Sequence, residues 1–217
     1  MLDLLLPRRC VVCRLPGDQL CVACGAALPR LVAPLCERCG APTVWPVSRC
    51  AECAGRRISF ASARAAVAYD DAVKRLVSAW KERGLRRLAG SAAGLVAELL
   101  PAPRADALAF VPPDGDRRLE RGHHPAERLA RELSRRWEIP AEPLLERTRA
   151  LRRQRGLSLA DRRRNVHGAF VARDSPRTVC LVDDVYTSGA TANAAAAALR
   201  KVGAAQVWVV TFARAVR

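Results

Sequence analysis

Four Cys-x-x-Cys pairs within the first 53 residues constrain this chain more than any other feature. A Cys-x-x-Cys turn points two sulfurs at one point, and two such turns supply the four soft ligands of a tetrahedral zinc site. Four turns therefore predict two structural zinc ions, and eight thiolates leave no open coordination position for catalysis. The predicted ligands are Cys10, Cys13, Cys21, Cys24, Cys36, Cys39, Cys50 and Cys53.

The gaps between the pairs bear on which pairs share a metal. Seven residues separate the first two pairs and ten separate the last two, and either gap can close a tight hairpin. Consecutive pairing is favoured, while interleaved and nested pairing stay open. Gly25 and Gly40 each follow the second Cys of a pair, where a zinc knuckle tends to need a positive φ. A disulfide framework is the competing interpretation, and it requires an oxidising compartment.

The length and the N-terminal residues bound the domain organisation and the compartment. The 217 residues hold one domain plus a small appendage. Residues 1–7 contain an acid where a signal peptide has basic residues, and no apolar run approaches the roughly 18 residues of a membrane-spanning helix. We expect a cytoplasmic protein without membrane insertion, built of a double zinc ribbon at 1–55 and a second domain at 56–217.

The second domain has the pattern of an α/β layer fold. Apolar runs alternate with helical patterns, which predicts a mainly parallel sheet flanked by helices. The runs at 179–182 and 207–210 are apolar at every position, as in parallel strands covered on both faces. Cys180 is then a buried core residue. Strands are expected near 63–69, 108–111, 178–182 and 206–212, and helices near 72–82, 90–100, 125–137 and 191–202.

The stretch 178–191 carries the main prediction of a binding site. A buried strand ends in Asp183 and Asp184, and a short loop then enters a helix at the carboxyl edge of the sheet, where ligands of such folds bind. The loop offers backbone N–H groups, hydroxyls and a glycine, and it comprises Thr187, Ser188, Gly189, Ala190 and Thr191. Such a loop can cradle a phosphate, and the acids suit vicinal hydroxyls, which predicts a ribose 5-phosphate pocket.

Two other interpretations of this stretch differ in what they explain. An ordinary strand-turn-helix with Thr191 as a cap accounts for the glycine and the threonine, but not for paired acids beside a hydroxyl-rich loop. The chain has no G-x-x-x-x-G-K-[ST] and no G-x-G-x-x-G after a strand, which disfavours a P-loop ATPase and a nicotinamide-binding domain.

At these residues the chain resembles the phosphoribosyltransferase fold. Over nearly its whole length it is similar to the ComF family, competence-associated proteins that join an N-terminal zinc ribbon to a phosphoribosyltransferase-like domain. Besides the Cys pairs and the loop, the resemblance rests on the stretch 69–84 with Lys81, on Val111-Pro112 followed by Arg117 and Arg121-Gly122, and on Gln154, Leu157, Arg162, Asn165, Gly168 and Phe170.

The resemblance implies binding of phosphoribosyl pyrophosphate with Mg²⁺ and a part in DNA uptake. Asp183 and Asp184 would be the catalytic acids that hold the ribose hydroxyls, directly or through Mg²⁺. Residues 187–191 would hold the 5-phosphate, and Arg117 or Arg121 would face the pyrophosphate. One function that follows is phosphoribosyl transfer to an acceptor that the sequence does not indicate. The alternative is a non-catalytic sensor of a ribosyl phosphate that binds single-stranded DNA or a protein of the competence machinery.

The chain departs from the family where R-G-F-N-Q is usual and Arg121-Gly122-His123-His124-Pro125 stands here. Any role of the two amides in substrate binding therefore cannot be carried over. His124 is expected to cap a helix that Pro125 begins, and a ligand-binding or catalytic histidine is the alternative.

The charge of the chain is concentrated in one segment. The formal net charge is +16, and residues 117–164 hold 15 Arg against 7 acids, a net of +8. Such a segment predicts sequence-independent contacts to the phosphates of single-stranded DNA. Stacking on bases should be weak because aromatic residues make up only 5% of the chain. The alternative is a solvated arginine surface that reflects coding bias.

Overall fold

The computed structural model describes residues 8–113, 124–148 and 168–216. Its helices are α1 (Val22–Ala26), α2 (Asp71–Lys81), α3 (Leu88–Leu99), α4 (Pro125–Trp137) and α5 (Ala190–Lys201). Its strands are β1 (Ser62–Ala68), β2 (Ala107–Phe110), β3 (Ala141–Glu142), β4 (Glu146–Arg147), β5 (Phe170–Val171), β6 (Thr178–Tyr186) and β7 (Gln206–Arg214). The four expected strands and the four expected helices are all present, with ends that differ by at most four residues.

The central sheet has five strands in the order β1-β7-β6-β2-β3, and all four pairs are parallel. The predicted α/β fold with a mainly parallel sheet flanked by helices is therefore confirmed. The apolar runs in β6 and β7 lie at the centre of the sheet, where both faces are covered. A separate antiparallel pair joins β4 and β5, two strands of two residues each that no sequence pattern predicted.

Two hydrophobic cores lie on the two faces of the sheet. On one face, α2, α3 and α4 pack their apolar sides through Trp80, Leu88 and Leu129, all fully buried. On the other face, α5 packs its alanines close to the strands, with Leu199 fully buried. Cys180 faces the first core and Leu181 faces the second, as the alternation of a strand requires. Cys180 is fully buried, as expected.

The N-terminal region packs against the sheet rather than standing apart from it. Residues 29–31 run antiparallel to the edge of β1, where the N–H of Leu31 donates to the carbonyl of Ala66 (3.0 Å) and the N–H of Ala68 donates to the carbonyl of Pro29 (2.7 Å). The Cys36–Cys53 cluster lies within the core beneath α5. The second half of the N-terminal region therefore shares a hydrophobic core with the sheet.

Candidate functional site

The eight N-terminal cysteines form two clusters, each built from consecutive pairs. In one, the sulfurs of Cys10, Cys13, Cys21 and Cys24 all lie within 4.8 Å of one another, and in the other, those of Cys36, Cys39, Cys50 and Cys53 do so. This is the consecutive arrangement that the gaps favoured. All nine cysteines fall in the described ranges, and none of them forms a disulfide.

The spacing of the sulfurs matches a tetrahedral zinc ion. Zn–S bonds of about 2.3 Å place tetrahedral sulfurs about 3.8 Å apart. The Sγ atoms of Cys13 and Cys21 are 3.8 Å apart, and in the second cluster Cys36–Cys53 measures 3.6 Å and Cys39–Cys50 measures 3.5 Å. Both clusters therefore fit a structural zinc ion with four thiolate ligands.

The electrostatics of the thiols in the second cluster also suit a cation. Burial opposes ionisation of Cys36, but backbone N–H groups of Cys39, Cys50 and Arg38 outweigh it and lower the pKa of that thiol to about 6. Burial raises the pKa of neighbouring Cys39, and a negative Cys36 adds to the rise. Four thiolates cannot share one pocket without a positive ion between them, which a divalent zinc supplies.

The two glycines behind the knuckles behave differently. Gly40 has φ +69, as expected, and a Cβ there would overlap the carbonyl oxygen of Ala63. Gly25 lies within α1 with ordinary helical geometry, so the expected positive φ is wrong there. The first cluster closes through one short helical turn, which needs no left-handed residue.

Asp183 and Asp184 lie within β6 rather than after its end. The strand was expected to stop at residue 182, but its pairing with β7 continues, with Asp183 opposite Thr211 and Tyr186 opposite Arg214. Alternation along the strand sends the two carboxylates to opposite faces. Asp184 is buried, while Asp183 is partly exposed.

The two acids have different electrostatic surroundings. Asp184 forms an ion pair with Lys81 at the end of α2, with 2.5 Å between Nζ and Oδ1. Burial and the charge of Asp184 raise the pKa of Asp183 to about 7, although Lys81 and Arg147 oppose the rise. An Asp183 oxygen accepts the backbone N–H of Asp184 at 2.9 Å. Asp183 is therefore the carboxyl of the pair that titrates near neutral pH.

The loop after β6 has the geometry of an anion-binding helix start. Gly189 occupies the N-cap of α5 in the left-handed region, with φ 70° and ψ 8°, and the first turn of α5 contains no acid. The Ser188 hydroxyl accepts the N–H of Ala190 at 3.3 Å. Thr191 lies inside the helix and is not its cap, contrary to the ordinary strand-turn-helix interpretation. The start of a twelve-residue helix favours a negative ligand.

The structure brings one of the acids and part of the loop together around a small cleft of about 10 Å³. Its walls are formed by Asp183, Val185, Tyr186, Thr187, Gly189, Thr191, Ala192 and Thr211. Sequence reasoning assigned no role to Tyr186 or Thr211. Thr211 could have been found from the parallel pairing of β6 with β7, which places it beside Asp183.

His124 occupies the N-cap of α4, as expected, but its side chain makes no capping bond. The His124 Nε2 atom lies 2.9 Å from the carbonyl oxygen of Val111. Because a carbonyl oxygen can only accept a hydrogen bond, the Nε2–H group is the donor. The ring lies edge-on to Phe110, with 5.6 Å between the centroids. Burial lowers the pKa of His124, with Glu127 acting against it. His124 thus ties the start of α4 to the end of β2. His123 lies outside the described residues.

The pyrophosphate-side candidates Arg117 and Arg121 also lie outside the described residues. Of the basic segment 117–164, the structure describes 124–148, which holds 5 Arg and 5 Glu and has no net charge. Three of those arginines form ion pairs with Glu127 or Glu132 on α4, namely Arg131, Arg135 and Arg136. The excess of +8 therefore belongs entirely to 117–123 and 149–164.

A second basic surface lies elsewhere, between the first cysteine cluster and α2. An open groove of about 890 Å³ there is lined by Arg9, Cys10, Val11, Arg14, Asp71, Lys74, Arg75, Ser78, Arg83 and Leu85. Five of these ten side chains are cationic and one is acidic. Within the described part of the chain, none of the five forms an ion pair. No sequence pattern had grouped these residues.

Comparison with known proteins covers both halves of the chain. The family model described as "Double zinc ribbon domain" matches residues 1–56. Competence protein F of Haemophilus influenzae is 30% identical over 224 residues, which span 95% of this chain and 97% of that protein. DNA utilization protein YhgH of Escherichia coli K12 is 30% identical over 225 residues, 94% of this chain and 97% of that protein. YhgH of Salmonella typhimurium is 29% identical over a similar span.

None of the helices in the three described ranges is long and apolar enough to cross a membrane.

Proposed function

This chain belongs to the ComF family, and from that membership we propose that it acts in the handling of DNA during competence and binds phosphoribosyl pyrophosphate. The names of its relatives, a competence protein and DNA utilization proteins, support the first half of the proposal. The cleft at the end of β6 supports the second half. We also propose that residues 1–55 and 56–217 act as two domains, the first a double zinc ribbon.

The observation that carries the ligand proposal is the placement of Asp183 and the loop 187–191 around one cleft. The start of α5 offers backbone N–H groups and the hydroxyls of Thr187 and Thr191 to a 5-phosphate. Asp183 offers a carboxylate to the hydroxyls of the attached ribose. Gly189 leaves the main chain open to close approach.

Mg²⁺, bound with the pyrophosphate, would neutralise the charge that develops on the leaving group. Asp183 would hold the ribose hydroxyls, directly or through that ion. Asp184 lies on the opposite face of β6, where its ion pair with Lys81 orients it. If the protein is a transferase, Asp183 also stabilises the positive charge that develops on the ribose. Arg117 and Arg121 are the proposed partners of the pyrophosphate.

Calorimetric titration with phosphoribosyl pyrophosphate in Mg²⁺ tests this proposal. Wild-type protein should bind, and the Asp183→Asn/Asp184→Asn variant should lose binding by about 100-fold, because each charge-assisted bond contributes about 1.5–3 kcal/mol. Asp174→Asn is a control, since Asp174 is exposed and does not line the cleft. Wild-type affinity in the double variant would overturn the assignment of the cleft.

A pyrophosphate-release assay with candidate bases then separates the two forms of the proposal. Release that depends on an added acceptor and is lost in the double variant identifies a phosphoribosyltransferase. Tight binding without release identifies a sensor of the ribosyl phosphate.

The basic groove favours a second function, binding of single-stranded DNA. Its cations lie on two walls: Arg9 and Arg14 come from the first cysteine cluster, and Lys74, Arg75 and Arg83 come from α2 and the turn after it. A chain of phosphates can follow such a groove without being read by sequence. The segment 149–164 offers a further seven Arg against one acid.

Fluorescence anisotropy with labelled single-stranded DNA over a salt series tests this second function. Lys74→Glu/Arg75→Glu/Arg83→Glu should weaken binding and flatten the dependence on salt. Arg173→Glu/Arg177→Glu/Lys201→Glu changes the net charge equally at exposed positions outside the groove and is the matched control. Arg152→Ala/Arg153→Ala/Arg155→Ala measures the share of the other basic segment. Equal losses in the groove and control variants would mean that only net charge matters.

A further inference from the structure

Arg214, the last residue of β7, is almost completely buried, with 1% of its surface exposed. Arginine is always charged in proteins, and a buried charge is tolerated only when other groups compensate it. The groups around Arg214 therefore show what its position depends on. They come from two distant parts of the chain, one at Cys39 and Glu52 and the other at Tyr186.

One set of partners belongs to the second cysteine cluster. The guanidinium donates to the carbonyl oxygen of Cys39 at 2.7 Å and to a carboxylate oxygen of Glu52 at 2.7 Å, and it lies 3.7 Å from the Cys39 sulfur. A zinc ion with four thiolates carries a net charge of about −2. Arg214 thus provides a cation at the rim of that centre.

The other partner is Tyr186, which faces Arg214 across the sheet. The two residues are in register on β6 and β7, so their side chains lie on the same face. The guanidinium carbon is 4.6 Å from the centre of the Tyr186 ring, within the range of a cation–π contact. The Tyr186 ring also meets Phe60 edge-on, with the centroids 6.4 Å apart.

The far end of the tyrosine touches the loop. Tyr186 is 4% exposed, and its hydroxyl has no hydrogen-bond partner among the described residues. That hydroxyl occupies the space where a Cβ of Gly189 would stand. The side chain therefore packs directly beneath the residue that begins α5. Any displacement of the ring must move Gly189 or open a void.

We propose that Arg214 and Tyr186 are positioning residues that couple the second zinc centre to the loop 187–191. Zinc on Cys36, Cys39, Cys50 and Cys53 fixes the Cys39 carbonyl, which fixes Arg214, which holds the tyrosine ring beneath Gly189. Loss of that zinc removes the partners of a buried cation, and the tyrosine then no longer holds the loop in one conformation. By linkage, a ligand that orders the loop raises the affinity of the second centre for zinc.

The first cysteine cluster lacks such a connection. Among the buried polar and charged side chains of the described ranges, only Arg214 contacts a cysteine cluster, and it contacts the second. The first cluster meets the sheet through apolar contacts of Val11 and Leu20. The two zinc centres are therefore unequal, and each serves as a control for the other. The coupling between zinc and the loop does not depend on the proposed function. Only the expected effect of a bound ligand on zinc rests on it.

Amide hydrogen exchange of residues 187–191 in the full-length zinc-loaded protein tests the coupling. Cys50→Ser, which disrupts the second centre, should speed exchange in the loop about tenfold, the size expected when one charge-assisted contact is lost. Cys13→Ser, which disrupts the first centre, should leave exchange in the loop unchanged. Equal exchange in the two variants would overturn the proposal.

Two further variants keep all eight ligands, so they report on the coupling if Cys50→Ser does not fold. Arg214→Lys and Glu52→Gln should each release one zinc ion of two to a chelating dye faster than wild type, and each should speed exchange in the loop. Faster zinc release with unchanged exchange in the loop would also overturn the proposal. Phosphoribosyl pyrophosphate, added as the probe, should raise the affinity for that zinc ion in equilibrium competition with the dye. Absence of any binding would count against the proposed function alone, since the exchange measurements need no ligand.

Discussion

Lys81 at the end of α2 reaches the carboxylate of Asp184 at 2.5 Å, while the neighbouring Asp183 has no ion-pair partner among the described residues. Two adjacent acids of the same type therefore differ in their roles. Asp184 is half of an ion pair that joins α2 to β6. Asp183 is the acid that faces the cleft.

Single substitutions of the two acids should change stability in opposite directions. Asp183→Asn removes the repulsion between the carboxylates and should raise the Tm by about 2–4 °C, which corresponds to about 1 kcal/mol. Asp184→Asn leaves Lys81 without its partner and should lower stability by about 1–2 kcal/mol. Thermal unfolding at pH 8 measures both changes. If both substitutions shifted the Tm in the same direction, the ion pair with Lys81 would not be the cause of a difference between the two acids.

The pKa of Asp183 sets a pH dependence. Burial and the charge of Asp184 raise that pKa from 3.8 to about 7. The folded state therefore binds more protons than the unfolded state between about pH 4 and pH 7, and the free energy of unfolding falls as pH rises through that window. Urea unfolding at several pH values should show a smaller fall in Asp183→Asn. An unchanged slope in that variant would assign the dependence to other groups.

Ligand binding should depend on the same proton. Ribose hydroxyls and Mg²⁺ prefer the carboxylate, so the affinity for phosphoribosyl pyrophosphate should rise as pH increases through about 7 in the wild type. The phosphates of the ligand titrate in a similar range and also make the affinity depend on pH. Asp183→Asn is the control, because its affinity should vary with pH only through those phosphates. Parallel pH profiles for the two proteins would contradict a role for Asp183.

The purified protein should carry two zinc ions per chain, measured by elemental analysis. Removal of zinc should loosen more than residues 1–55, because Cys36, Cys39 and Cys53 are buried in the core beneath α5. A chelator should therefore lower the Tm of the sheet domain as well. Calorimetry with and without the chelator checks this. An unchanged Tm of the sheet domain in the chelator would mean that the zinc ribbon folds independently of the sheet.

Gly189→Ala should destabilise the protein for two reasons, its φ of +70° and the overlap of the new Cβ with the Tyr186 hydroxyl. Gly55→Ala is the matched control, since Gly55 has φ +68° and nothing within 4 Å of the added Cβ. Gly55→Ala should lower stability by about 1 kcal/mol, and Gly189→Ala should lower it by about 2–4 kcal/mol. Equal losses would mean that the tyrosine yields to the added methyl group.

The sequence predicted those features that depend on local spacing and periodicity. The two cysteine clusters follow from four tight pairs, and α4 begins and ends at the expected residues, Pro125 and Trp137. Pro125 at the first helical position and a strongly amphipathic pattern mark that helix clearly. The acids and the loop 187–191 were also found as neighbours, because they are adjacent in the chain.

Contacts between distant parts of the chain could not be predicted in this way. Strand β6 continues through two acids because β7 and the surrounding groups support it, against the local preference of aspartate. Lys81, the ion-pair partner of Asp184, is 103 residues earlier in the chain (184 − 81). Arg214 is separated from Cys39 by 175 residues. Such pairs depend on how the helices and strands pack together. In the sequence each partner is a single charged residue, and nothing near it indicates which residue it contacts.

The antiparallel stretch 29–31 has a consequence for how this protein behaves when its metal is lost. That stretch covers the outer edge of β1, and the opposite edge of the sheet is the two-residue strand β3. An uncovered strand edge presents free N–H and C=O groups to which another chain can add. The N-terminal region thus protects the sheet from edge-to-edge association, and chains that fold without zinc should self-associate through β1.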